Sequence, residues 1–186
     1  MKAGILALQG DFREHAAVLA DLGAVPVLVR TPEELASVDC LAIPGGESTT
    51  ISRLARGHGL VEPIRARARE GMPVLGTCAG MIVMAREVED GEPLLSVLDI
   101  RVARNAYGRQ VDSFEADVPL RGQDDPVRAV FIRAPVVEEV GPGVEVLADL
   151  DGRPIVVEEG RLLAAAFHPE LARDGRLHRR MLEQVG

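Results

Sequence analysis

The sequence predicts one α/β domain with a mostly parallel central sheet, helices on both faces and a β-rich insertion in the second half. Three observations lead there. Short apolar runs ending in Gly or Pro alternate with helix-like stretches through the first half, the pattern of strands joined by crossover helices. Those runs are continuously apolar, as in strands covered on both faces. From about residue 97 the alternation gives way to consecutive strand-like segments joined by turns.

In chain order, the first strands are GILALQG (4–10), AVPVLVR (24–30), CLAIPGG (40–46) and PVLGTC (73–78). Helices are expected over Phe12–Leu22, Thr49–His58 and Glu62–Glu70. Asp11 is placed to cap the first, and Phe12, Ala16, Leu19 and Ala20 recur on it at helical spacing as a buried stripe. The second half reads as strands Val97–Val102, Gln110–Ala116, Ala129–Arg133, Val144–Ala148, Pro154–Glu158 and Arg161–Phe167, with turns at Asp151-Gly152 and Glu159-Gly160. A last helix is expected over about Glu170–Gln184. No linker or repeat divides the chain, so residues 1–186 are read as one domain.

Composition narrows the function classes. A net charge of −8 argues against nucleic acid, whose phosphates need clustered Lys and Arg. One Tyr, four Phe and no Trp leave few surfaces on which bases stack. No apolar run is long enough to span a membrane, and the N-terminus has no signal-peptide pattern. A cytoplasmic protein acting on a small polar ligand, or on a protein partner, is the expectation.

The strongest chemical signal is Gly76-Thr77-Cys78-Ala79-Gly80 directly after an apolar run. A strand turning sharply into a helix exposes its turn residue, and flanking glycines remove the Cβ clashes of that turn. A Cys there suits a nucleophile, with the Ala79 amide aimed at an oxyanion; a small buried hydrophobe is the competing reading. Cys40, inside an apolar run with no glycine elbow, reads as core. His58 and His178 look like solvated surface positions, and His15 on the first helix has no assigned role. In His168-Pro169-Glu170 the proline favours extended backbone, and residues i and i+2 then project to one side. Glu170 can thus hold one imidazole nitrogen while the other faces Cys78; capping of the last helix is its alternative role.

The loop Pro44-Gly45-Gly46-Glu47-Ser48-Thr49-Thr50 lacks the Lys of a phosphate loop, and its acid suits an ammonium group. It is equally readable as a helix-opening turn capped by Ser48. Arg104, in the polar stretch through Gln110, and Arg133 can clamp a carboxylate, which with Glu47 suggests an amino-acid substrate. All these segments fall at the carboxyl ends of predicted parallel strands, where open α/β sheets carry their sites. The two cysteines and four histidines show no metal-ligand spacing.

Gly-Thr-Cys-Ala-Gly (76–80) with His168-Pro169-Glu170 resembles the class I, triad-type glutamine amidotransferases. The opening Gly-Ile-Leu-Ala-Leu-Gln-Gly-Asp, the loop Pro-Gly-Gly-Glu-Ser-Thr-Thr, Arg-Asn-Ala-Tyr-Gly-Arg-Gln (104–110), Phe-Ile-Arg-Ala-Pro (131–135) and Phe-His-Pro-Glu-Leu (167–171) extend the likeness to the branch serving pyridoxal 5′-phosphate synthases. The resemblance implies a flavodoxin-like three-layer fold, with Cys78 as nucleophile, His168 as base and Glu170 as its orienting acid. It implies glutamine binding by Gly46, Glu47, Ser48, Arg104, Ile132 and Arg133, and an oxyanion hole at Gly45, Gly46 and Ala79. The implied activity is hydrolysis of L-glutamine to glutamate and ammonia, without a cofactor of its own. The ammonia would pass to a synthase subunit that makes pyridoxal 5′-phosphate from ribose 5-phosphate and glyceraldehyde 3-phosphate, in an assembly of twelve synthase and twelve glutaminase subunits. A glutaminase for a different synthase, or a non-catalytic binding module on the same fold, are the alternatives.

Overall fold

The computed structural model describes residues 1–104 and 113–186. Its centre is a seven-stranded sheet. Strands β1 (Lys2–Leu6), β2 (Val25–Val29), β3 (Cys40–Ile43) and β4 (Val74–Thr77) alternate with helices α1 (Phe12–Asp21), α2 (Pro32–Ala36), α3 (Ser48–Gly57) and α4 (Val61–Arg69). A short helix α5 (Ala79–Met84) follows β4. Every residue of β3 and β4 is buried, as continuous apolar runs require; β2, at the sheet edge, is only partly covered.

The second half is rich in strands, but they do not form one insertion. Here β5 (Ala85–Val88), β6 (Leu98–Ala103) and β9 (Val136–Val140) make a three-stranded sheet, and β7 (Ser113–Val118) pairs with β8 (Val127–Ile132) as a hairpin. Strands β10 (Glu145–Leu150), β11 (Arg153–Glu159) and β12 (Leu162–Ala165) instead join the central sheet, in the order β10-β11-β12-β4-β3-β1-β2. From β12 to β2 all neighbours are parallel, and the β11–β12 and β10–β11 pairs are antiparallel. The Asp151-Gly152 turn has positive φ at both residues, the primed geometry of a two-residue hairpin.

Several expectations need correction. Helix α2 was not expected, although Thr31-Pro32-Glu33-Glu34 encodes it: the Thr31 hydroxyl accepts from Glu34 N–H, and the Glu34 carboxylate accepts from Thr31 N–H. Strands β5 and β9 were also unforeseen. Residues 110–112 of the expected strand Gln110–Ala116 lie outside the described residues. The last helix, α6 (Arg176–Glu183), begins well after Glu170. Residues 169–173 are turn, Arg173 adopts φ 52°, and the Asp174 carboxylate accepts from Arg176 N–H at 3.0 Å as the helix opens. No helix among the described residues is long and apolar enough to cross a membrane.

Candidate active site

The carboxyl ends of β1, β3, β4 and β12 face one pocket of about 460 Å³. Its lining includes Cys78, Ala79, His168, Gly46, Glu47, Ser48, Arg104, Ile132 and Arg133, together with Gln9, Asp11 and Ile82. Gly45 and Glu170 stand directly behind this lining. The sequence-predicted residues are therefore brought together, except those of the 105–110 stretch, which lie outside the described residues.

At the end of β4 the chain turns sharply. Cys78 has φ 49° and ψ −105°, and Ala79 opens α5. The turn is held by Cys78 N–H donating to Ala165 O at 2.8 Å and Met81 N–H donating to Cys78 O at 3.1 Å. It needs bare Cα atoms on both sides. A Cβ on Gly80 would lie 2.1 Å from Ile43 O, and one on Gly76 would lie 2.6 Å from the Met84 sulfur. The Cys78 thiol is 3.7 Å from Ile132 O, at the end of β8.

His168 arrives from the strand beside β4: Ala165 pairs with Thr77, so the chain beyond β12 runs alongside the elbow. Its N–H donates to Val130 O at 2.9 Å. Its ring lies on the Gly45 backbone, where an added Cβ would come within 2.2 Å of the imidazole. Nδ1 is 2.7 Å from Glu170 Oε1 and 3.4 Å from Asp11 Oδ2. A carboxylate only accepts, so Nδ1 carries the proton and Nε2 remains for Cys78, which lines the same pocket. A protonated Nδ1 is no metal ligand, although Asp11, His168 and Glu170 bring ligand-type atoms within 4.8 Å of one another.

Electrostatics favours a charged pair. Burial alone would lower the His168 pKa, but hydrogen bonds with Asp11, Cys78 and Glu170 overturn that and raise it to about 12. Burial would raise the Glu170 carboxyl, but the His15 and His168 imidazoles hold it well below the usual carboxylate range. Glu170 is therefore not a helix cap; its side chain is wholly buried against two histidines.

Two loops meet across the mouth of the pocket. Asp11 N–H donates to Gly45 O at 3.3 Å, and Glu47 N–H donates to Gln9 Oε1 at 2.7 Å. Gly10, at φ 95°, allows this approach, since a Cβ there would overlap Gly45 O at 1.7 Å. Asp11 occupies the N-cap position of α1 but makes no capping bond; its carboxylate is turned to His168 instead. Glu47, rather than Ser48, caps α3, accepting from Thr49 N–H at 3.0 Å and from Thr50 N–H and Oγ1 at 2.7 Å. The Thr50 hydroxyl foremost lowers its pKa to about 2, so the pocket mouth keeps a fixed negative charge. On the far side Arg104 lines the pocket with a buried Nε that has no hydrogen-bond partner among the described residues, and Arg133 adopts φ 44° just past β8.

Of the remaining candidates, Cys40 is fully buried in the core and its thiol is pushed up to about 12, mainly by burial. His58 is exposed. His178 is not: it is wholly buried, because Leu177, Met181 and Leu182 set the inward stripe of α6 and His178 lies within it. Residues 177, 178, 181 and 182 already have that spacing in the sequence.

The profile of the SNO glutamine amidotransferase family matches residues 5–186. The chain belongs to this family. Among curated members, the pyridoxal 5′-phosphate synthase subunit PdxT of Acidothermus cellulolyticus is 60% identical over 186 residues, covering 95% of this chain and 90% of that one. The PdxT subunit of Carboxydothermus hydrogenoformans is 52% identical over 188 residues, covering 100% and 98%. A crystal structure described as a glutamine amidotransferase superposes with a TM-score of 0.95 at 50% identity, covering 99% of this chain and 98% of the other. PurLQS of Thermotoga maritima, at 16% identity and a TM-score of 0.78 over 100% of this chain and 98% of that one, shares the fold. Family membership makes the chain a glutaminase-type enzyme on a flavodoxin-like sheet.

Proposed function

We propose that residues 1–186 form one glutaminase domain that hydrolyses L-glutamine and delivers the ammonia to a synthase subunit making pyridoxal 5′-phosphate, in the cytoplasm. The observation that carries the site assignment is the 2.7 Å His168–Glu170 contact beside an elbow cysteine in a pocket flanked by Arg104, Arg133 and Glu47. Glutamine enters with its carboxylate toward the arginines and its ammonium toward Glu47; Gly46, Ser48 and Ile132 complete the cradle. His168 Nε2 holds the Cys78 proton, and the thiolate attacks the side-chain amide carbon. The resulting oxyanion is received by backbone N–H groups of Ala79 and of the Gly45-Gly46 segment. The imidazolium returns its proton to the leaving nitrogen, and ammonia departs as the thioester forms. Water, deprotonated by His168, then opens the thioester through a second oxyanion, releasing glutamate and restoring the thiol.

The PdxT relatives are named as subunits of pyridoxal 5′-phosphate synthase, and the partner is proposed on that ground, in an assembly of twelve copies of each subunit. Docking acts on the 9–11 and 45–47 loops, which hydrogen-bond to each other. The decisive experiment is glutamate release from glutamine by this chain alone and with a synthase subunit added. The expected result is activation by the synthase and complete loss in Cys78→Ala. Near-normal release by that variant refutes the nucleophile. Activity indifferent to the synthase would reassign the partner.

A further inference from the structure

The row of buried polar groups does not end at Glu170. We infer that His15, backed by His178, is a positioning residue for this hydrolysis: it holds the second oxygen of Glu170 so that the first stays on His168. The inference rests on the Cys78–His168–Glu170 reading and deepens it.

Glu170 has two oxygens in a sealed environment. Oε1 serves His168, while Oε2 is buried and makes no bond of ordinary hydrogen-bond geometry among the described residues. It faces His15 Nε2 at 3.4 Å. The same nitrogen lies 3.1 Å from Thr77 Oγ1, in the residue just before the nucleophile. On its other side, His15 Nδ1 is 2.8 Å from His178 Nε2. His15, Thr77 and His178 are all wholly excluded from solvent. The set thus ties α1, β4 and α6 to the segment that follows β12.

Proton placement follows from what each group can do. An ionised carboxylate accepts only, so the nitrogen facing Oε2 must be N–H. His15 Nδ1 and His178 Nε2 share one proton across 2.8 Å. The one nitrogen left over, His178 Nδ1, is buried without a partner among the described residues. The groups facing His15 are His178 from α6 and Glu170 from the segment after β12, with His168 and Asp11 beyond it.

The mechanical consequence concerns rotation. A carboxylate held by one oxygen can turn about its terminal torsion, which is broad and shallow. With Oε1 bonded to His168 and Oε2 facing His15 Nε2 at 3.4 Å, that rotation is restrained, the Nδ1–H bond keeps its direction, and Nε2 stays on the Cys78 side. Asp11 and His15 stand four apart on one face of α1, so a single helix start touches His168 and Glu170 from two sides.

The test uses two amides that fit the same space differently. In His15→Gln the side-chain N–H reaches the Nε2 position and keeps the contact with Glu170. In His15→Asn it stops near Nδ1, keeps a partner for His178 and abandons Glu170. Both are made in the full chain and assayed with the synthase partner, with a cooperative thermal melt confirming that each is folded. The expected result is a loss of kcat on the order of tenfold in His15→Asn, near-normal kcat in His15→Gln, and unchanged KM for glutamine in both. Placed on Glu170→Gln, the two substitutions should become indistinguishable. Equal turnover of the Gln and Asn variants overturns the inference, as does an Asn penalty undiminished on Glu170→Gln. Wild-type turnover by Glu170→Gln itself would overturn the triad reading, and this one with it.

Discussion

Cys78 is held at φ 49° and ψ −105°, a conformation that costs a side-chain-bearing residue about 1–3 kcal/mol and persists only because its neighbours impose it. The strain sits on the residue whose sulfur the proposed mechanism presents to substrate. Removing the sulfur alone leaves the strain; removing Cβ relieves it. Cys78→Gly should therefore be more stable than Cys78→Ala by about 1 kcal/mol, after the greater unfolded-state freedom of glycine (~0.4–1 kcal/mol) is deducted. Chemical denaturation of the two variants measures this, and an equal or lower midpoint for the Gly variant would contradict it. At this scale the sequence was most informative where backbone chemistry constrains residue type, as in the glycine elbow and in His168-Pro169-Glu170. It was least informative for His15 and Asp11. Their roles depend on side chains meeting across elements, and no local spacing records that.

Among elements, the loop that carries Gly45 and Gly46 touches His168 directly. The His168 ring rests on the Gly45 backbone, and a methyl group there would come within 2.2 Å of it. Gly45→Ala should push the imidazole off the Cys78–Glu170 line and reduce turnover on the order of a hundredfold, the usual penalty of a misplacement near 1 Å. Assay of the folded variant decides it, and turnover within a few-fold of wild type would mean that the loop yields instead. The three long crossover helices and four parallel strands were legible from their apolar patterning. The boundary of α6 was not, because the segment after His168 is drawn inward by Glu170 instead of starting a helix at once. The strands of the second half were mostly recognised, but their division among three sheets is a matter of long-range pairing that hydropathy does not encode.

For the whole molecule, the buried ionisable groups set how stability responds to pH. His168 is raised from 6.5 to about 12, so its contribution is complete below about pH 6.5 and fades as pH climbs toward 12. His178 is lowered from 6.5 to about 3 by burial and by His15; it is kept neutral, and its contribution fades as pH falls from 6.5 toward 3. Glu170, lowered from 4.5, adds a further loss in acid below that value. Together these groups place the stability maximum near pH 6.5, with decline on both sides. Urea midpoints across pH 4–10 test it, and a midpoint still rising at pH 9 would contradict the raised His168. The sheet order has another consequence. Strand β12 enters between β4 and β11, and only its pairing with β4 sets His168 beside Cys78. During synthesis the ribosome delivers the thiol long before the imidazole. On the proposed mechanism, until the last strand pairs with β4 a growing chain carries the thiol without its base and hydrolyses no glutamine.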